Sequence, residues 1–186
     1  MTLSPTDRNG FRRILIVIAL AGMQAFGPWP QSMRAQAPSG GNLFTTVQYR
    51  AGWNMIGLPN TPFNPSAGAM FPAAASPLFT YSNGYVIDSI LRRGLGYWIK
   101  LDAPRITRQS GISLALPQTI PLAAGWNLIC SGASEPAPVA SVVAIGTTLQ
   151  SGFFGFNDGY YVASTIDPGR AYWVKSATRG AITFNR

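Results

Sequence analysis

The chain contains no histidine and a single cysteine, Cys130. The absence of histidine removes the commonest general base and the commonest transition-metal ligand, and with them any Ser-His nucleophile. One cysteine excludes an intramolecular disulfide and a two-cysteine zinc site. Cys130 reads as a small buried apolar residue; an intermolecular disulfide is the alternative in an exported protein. Charged residues are scarce, 11% of the chain against a usual fraction of about a quarter. There is no Gly-Lys-Ser/Thr phosphate loop. From Arg50 to Arg186 the cations are scattered, with Arg92-Arg93 the densest pair, and form no stripe of the kind that tracks nucleic acid. No catalytic residue, metal or cofactor is therefore expected, and nucleic acid is not an expected partner.

What the chain does have is apolar residues, 47% of the total, with 20 glycines and 15 prolines. Disordered chains combine low hydrophobicity with high net charge, so this composition predicts a turn-rich fold with a real core. The N-terminus carries Arg8, Arg12 and Arg13, then an apolar run from Ile14 to Ala25, then Pro28 and Pro30, then Ala35-Gln36-Ala37. That order is the order of a secretion signal, with small residues at −3 and −1 of a cut after Ala37. Pro38 directly after the cut and Arg34 before it are imperfect features. An uncleaved anchor is the rival, but its apolar core is short of the roughly 20 residues a span needs. The expected protein is therefore secreted or held at the cell surface, with no membrane span once cleaved. Cleavage removes four arginines and one aspartate, which lowers the formal charge from +8 to +5.

The remainder repeats itself. Ala51-Gly52-Trp53-Asn54-Met55-Ile56 returns as Ala124-Gly125-Trp126-Asn127-Leu128-Ile129, an offset of 73. Asn83-Gly84-Tyr85 returns as Asp158-Gly159-Tyr160, and Gly94-Leu95-Gly96-Tyr97-Trp98-Ile99-Lys100 as Gly169-Arg170-Ala171-Tyr172-Trp173-Val174-Lys175, both at an offset of 75. One alignment with a two-residue insertion explains all three blocks. The organisation is thus a signal peptide over 1–37, a first β repeat over 38–111 and a second over 112–186.

Apolar-other-apolar alternation in Val47-Gln48-Tyr49 and Ile120-Pro121-Leu122 predicts half-buried strands, each followed by a glycine turn and a second strand. Ser66–Phe71 and Val139–Ile145 are each expected to make one or two helical turns, the second from Val139, Val142, Val143 and Ile145 at near-helical spacing. Asn83-Gly84 and Asp158-Gly159 predict type I′ hairpins. A two-residue turn would place Ser82 opposite Tyr85 and Asn157 opposite Tyr160 on a polar face. Phe79, Tyr81 and Val86 would share the other face, as would Phe154, Phe156 and Tyr161. The last blocks and the segments Arg105–Thr107 and Ala181–Phe184 complete five or six strands per repeat. A unit of about 70 residues buries only a modest core alone. The expected fold is all-β: two internal repeats of mostly antiparallel short strands, packed about a pseudo-two-fold axis as a sandwich or barrel, with two separate beads as the alternative.

The Gly-Trp-Asn-Leu-Ile and Gly-x-Gly-Tyr-Trp-Val-Lys blocks, with a hairpin between them, resemble a tandem β repeat found in exported and surface bacterial proteins. The resemblance implies an extracellular module and carries no catalytic residues. Ala171 departs from it where the first repeat has Gly96; any small residue is expected to serve there.

Five carboxylates follow residue 37, and none recurs as a carboxylate between repeats. A small polysaccharide hydrolase working with Asp88 and Asp102 is the alternative function; a Ser-Lys pair would have to use Lys100 or Lys175. The residues that do recur are Trp, Tyr, Asn, Gly and Lys, a set suited to binding. The four tryptophans after residue 37 read as core anchors, with a stacking platform for sugar rings as the alternative. The expected function is a non-catalytic binding or structural module, with polysaccharide or another surface protein as partner. Its expected ligand sites are two per chain, Tyr85 with Ser82 and Tyr160 with Asn157, each a ring beside a hydroxyl or amide.

Overall fold

The computed structural model describes residues 42–112 and 118–184; the segment 1–37, expected to be a signal peptide, lies outside the described residues. Among these, strands dominate. In the first repeat they are β1 (Asn42–Tyr49), β2 (Gly52–Ile56), β3 (Leu78–Tyr81), β4 (Tyr85–Asp88), β5 (Tyr97–Leu101) and β6 (Arg105–Ile112). The second repeat has β7 (Gln118–Leu122), β8 (Gly125–Ile129), β9 (Ala137–Pro138), β10 (Val142–Ile145), β11 (Phe154–Phe156), β12 (Tyr160–Val162), β13 (Thr165–Ile166), β14 (Tyr172–Ser176) and β15 (Gly180–Phe184).

Every strand pairing among the described residues is antiparallel, and the two repeats share their main pairings, the second adding β10 on β15 and the pair β13-β9. Sheet β2-β5-β3-β4 is matched by β8-β14-β11-β12, and ribbon β1-β6 by β7-β15. Alternation drives this layering. Val47 and Tyr49 on β1, and Ile120 and Leu122 on β7, turn inward while their neighbours face water. Tyr97 and Ile99 meet them from β5, and Tyr172 and Val174 from β14, so each repeat is a small two-layer sandwich with its own core. No sheet closes into a barrel.

The motif that begins each repeat is a turn device. Gly52 and Gly125 have φ of 86° and 88°, a conformation that a Cβ disfavours. The Asn two residues on then staples the turn. Asn127 Nδ2 donates to the carbonyls of Ala123 and Gly125 at 2.9 Å, and its Oδ1 accepts from Ala123 N at 2.9 Å. Asn54 makes the same three bonds to Arg50 and Gly52. These recurring amides are fully used by the backbone and are not available to a ligand.

A third apolar cluster joins the repeats: Met55 and Trp98 from the first, Leu128, Ala171 and Trp173 from the second. Four backbone hydrogen bonds cross beside it in equivalent pairs. Gly57 N donates to Gly169 O and Cys130 N to Gly94 O, both at 3.1 Å; Gly96 N donates to Leu128 O at 2.9 Å and Ala171 N to Met55 O at 3.3 Å. The described residues belong to one compact unit, so the repeats are not separate beads.

The packing along this axis is unequal where it is tightest. A Cβ on Gly57 would overlap Cys130 Cβ and lie 2.6 Å from its Sγ; one on Gly96 would lie 2.6 Å from Ala171 Cβ. Each pair of equivalent positions therefore has room for one side chain. The expectation that any small residue serves at 96 is corrected: Gly is needed there because Ala stands opposite. Cys130 is buried without a disulfide, and burial pushes its thiol above its ordinary value.

Two local expectations are also corrected. Ser66–Phe71 does form a helical turn, α1 (Ala67–Met70), capped by Ser66 Oγ accepting from Ala69 N. Val139–Ile145 does not: only Val139–Ser141 makes a 3₁₀ turn, and β10 follows, paired with β15. The β-branched Val142, Val143 and Ile145 gain more from the open edge of β15 than from a short helix. The hairpins are the second case. Tyr81 lies opposite Tyr85, and Phe156 opposite Tyr160, leaving three-residue loops. Asn83 (φ 53°) and Asp158 (φ 58°) take the left-handed conformation, and Ser82 N and Asn157 N donate to Gly84 O and Gly159 O. The extra loop residue shifts the register by one and moves each side chain of β4 and β12 to the opposite face.

Candidate functional site

That register change decides where the tyrosines go. Tyr85 stands beside Tyr81 on the aromatic face of its sheet, ring centroids 5.7 Å apart, and Tyr160 stands 5.4 Å from Phe156. The polar-face assignment of Tyr85 with Ser82 and of Tyr160 with Asn157 is therefore corrected. Both tyrosines remain 59% exposed.

Each hairpin also leans on the opposite repeat. Tyr81 meets Trp173 edge-on at 4.9 Å, and Phe156 meets Trp98 at 4.9 Å. Tyr85 lies 6.5 Å from Trp173, and Tyr160 lies 6.4 Å from Trp98. Trp53 contacts Phe79 and Trp98 at 6.2 Å; Trp126 contacts Phe154 at 6.1 Å and Trp173 at 6.3 Å. Five rings from each repeat thus form one array whose equivalent distances agree within a few tenths of an ångström. The tilted and edge-on geometries are those aromatic pairs prefer.

The array is not closed. One cavity of about 480 Å³ is lined by Tyr81, Tyr85, Trp126, Phe154, Tyr160 and Trp173. Another of about 370 Å³ is lined by Trp53, Phe79, Tyr85, Trp98 and Phe156. The two are pseudo-symmetric counterparts, each built from both repeats, and Tyr85 borders both. Trp98 and Trp173 form the floor at 8% exposure, whereas Trp53 and Trp126 stand 44% and 42% exposed. The reading of all four as core anchors holds for one pair only. Polar atoms in the cleft are few. Trp98 Nε1 is buried without a hydrogen-bond partner. Burial, then the neighbouring Tyr160 phenol, raise the Tyr85 pKa from its ordinary value.

Of the four residues expected to bind, the structure gathers Tyr85 and Tyr160 into one cavity and leaves Ser82 and Asn157 outside it. Ser82 sits exposed in its loop. Asn157 Oδ1 accepts from Arg50 Nη1 at 2.6 Å, while Arg50 Nη2 pairs with Asp158 at 2.7 Å, so this turn is latched to the first repeat. Sequence reasoning held the tryptophans as a sugar-stacking platform only as an alternative to core, and missed Phe79 and Phe154, and Tyr81 and Phe156, as cleft walls. The signal was present: all five aromatic positions recur in the alignment.

No carboxylate lines either cavity. Asp88 accepts from Ile90 N and pairs with Arg92, and Asp102 is exposed in the turn after β5. The serines preceding Pro77 and Gly152 are spent on structure: Ser76 Oγ and Ser151 Oγ accept from the backbone N–H of Lys100 and Lys175. Among the described residues no three His, Cys, Asp or Glu side chains cluster to hold a metal ion, and no helix is long and apolar enough to cross a membrane. No protein-family model, curated protein or solved structure matches this chain.

Proposed function

We propose that this protein is a non-catalytic binding module, secreted or displayed at the cell surface, and that its aromatic cleft holds a polysaccharide chain. The observation that carries the reading is the pair of open, pseudo-symmetric cavities with recurring rings left partly in water. Contiguous exposed apolar surface of this kind marks interaction sites. Flat rings stack on the apolar faces of sugars, and an open cleft lets sugar hydroxyls keep their water. The N-terminal order of basic, apolar and Ala-x-Ala segments supports export. So does the resemblance of the repeat to those of exported bacterial proteins.

The geometry favours one extended ligand across both cavities over two ligands per chain, because Tyr85 borders both. A glycan array on the purified protein, followed by calorimetry on the best ligand, tests this. The expected result is one chain bound per protein. Tyr85→Ala and Tyr160→Ala should each weaken binding by about tenfold, a typical aromatic contribution. Absence of glycan binding, or binding indifferent to both changes, sinks the proposal. A protein partner is the second reading, favoured by the edge strands β4 and β12, where Val86, Ile87, Tyr161 and Val162 are exposed; such edges accept an added strand.

A further inference from the structure

The chain holds 14 cationic side chains, of which only two, Lys100 and Lys175, are lysines. They occupy equivalent positions. Lys100 lies directly opposite Trp53 on the neighbouring strand, and Lys175 directly opposite Trp126. Cross-strand partners project from the same face of a sheet, and residues two apart on a strand do likewise. Lys100 therefore shares a face with Trp53 and Trp98, and Lys175 with Trp126 and Trp173, the rings that line the two cavities. Neither lysine lines a cavity itself; each stands on the sheet face from which the tryptophans of one cavity project.

Among the described residues no carboxylate forms an ion pair with either lysine. The two ion pairs among the described residues are Arg50–Asp158 and Arg92–Asp88. The two cation–ring contacts likewise belong to arginines, Arg108 over Phe44 and Arg170 over Tyr49. Arg50, Arg92, Arg108 and Arg170, with their planar forks, are engaged in internal contacts, whereas each lysine, a compact hydrated point charge, shares a sheet face with the tryptophans of the cleft.

We propose that the polysaccharide held in the cleft is acidic, a chain of uronic-acid units whose carboxylates are met by Lys100 and Lys175. This rests on the reading of the cleft as a polysaccharide site. The charge count fits: each cavity has one lysine on the sheet face of its tryptophans, and a uronic-acid unit carries one negative charge on an otherwise stackable ring. A densely sulfated chain would call for more cations than the cleft provides.

The test compares polygalacturonate oligomers with the same oligomers fully methyl-esterified, by calorimetry on the full protein. The acidic form should bind about tenfold more tightly at low salt, and that advantage should shrink as NaCl rises from about 0.05 to about 0.5 M. Lys100→Gln and Lys175→Gln should each cost the acidic form about threefold, the scale of an exposed ion pair, and leave the ester unaffected. Lys100→Arg and Lys175→Arg should restore most of the loss. Unchanged thermal midpoints will show that the fold is intact. Equal binding of acid and ester, or binding indifferent to both lysines, overturns this inference and leaves the polysaccharide reading standing. Binding of proline-rich or other peptides with no sugar chain bound, acidic or neutral, overturns both.

Discussion

Replacing Gly57 by Ala should be far more damaging than the addition of one methyl suggests, because the new Cβ has to share space with Cys130. It would overlap Cys130 Cβ and stand 2.6 Å from Sγ, about 1 Å inside an ordinary contact. The backbones would have to part by about that much. The bonds from Gly57 N to Gly169 O and from Cys130 N to Gly94 O, both 3.1 Å now, would then stretch out of range. Two such bonds contribute about 1 kcal/mol each, and overpacking adds about 1–3 kcal/mol. The expected loss is about 3–5 kcal/mol, a large part of a typical domain's stability. Denaturant titration followed by tryptophan fluorescence measures it, and the thermal midpoint should fall by roughly 10 °C. The compensating change identifies the cause. Adding Cys130→Gly should recover at least about 2 kcal/mol of coupling, whereas adding Cys130→Ala should not, because the overlap is with Cβ itself. A loss under about 1 kcal/mol for Gly57→Ala, or additive losses in the Gly57→Ala/Cys130→Gly double variant, would refute the argument.

The stapling amides give a second test. Asn54→Ala should cost about 2–3 kcal/mol by unfolding titration, for three hydrogen bonds around a buried side chain, and Asn127→Ala less, since Asn127 is only half-buried. Alkaline pH gives a third. Tyr97 is buried, and burial pushes its phenol from 10.0 up to about 12; burial raises Tyr49 and Tyr172 as well. The unfolded phenols ionise first, so the unfolded state binds fewer protons above pH 10. Stability should therefore be fully present below pH 10 and fall as pH rises toward 12. Denaturant midpoints between pH 8 and about 11 check this; Tyr97→Phe should flatten the decline, and a midpoint independent of pH would contradict it.

Much of the fold was legible in the residues because its determinants are local. Alternation in Val47-Gln48-Tyr49, the glycine before each tryptophan, and the hydrophobic face of Tyr97-Trp98-Ile99 each specify a strand or turn without reference to anything distant. The equality of the two repeats was legible from their offsets. What was not legible depended on one residue of loop length or on a partner far along the chain. Asn83-Gly84 is compatible with a two- or three-residue hairpin loop, and the choice reverses which face Tyr85 occupies. Val139–Ile145 carries a helical spacing and a β composition at once, and only the open edge of β15 decides between them. The recurring Asn suggested an amide for a ligand, but its use as a staple follows from the conformation of Gly52 and Gly125.

The same long-range geometry explains why duplication gives one cleft and not two. Were the hairpins folded back on their own repeats, each unit would carry a separate patch. Instead Tyr81 and Phe156 reach the tryptophan of the opposite repeat at the same 4.9 Å, so neither cavity has a complete wall without the other half. The axis that brings the halves together is held by unlike pairs, Gly57 against Cys130 and Gly96 against Ala171, and by Arg50, whose equivalent in the second repeat is Ala123. Two copies of the second repeat would overlap at both contacts, and two copies of the first would leave both empty. The repeats have therefore become complementary. The near-symmetry of the cleft is maintained by asymmetry beneath it, where a single methyl decides whether the two aromatic faces can approach closely enough to share Tyr85.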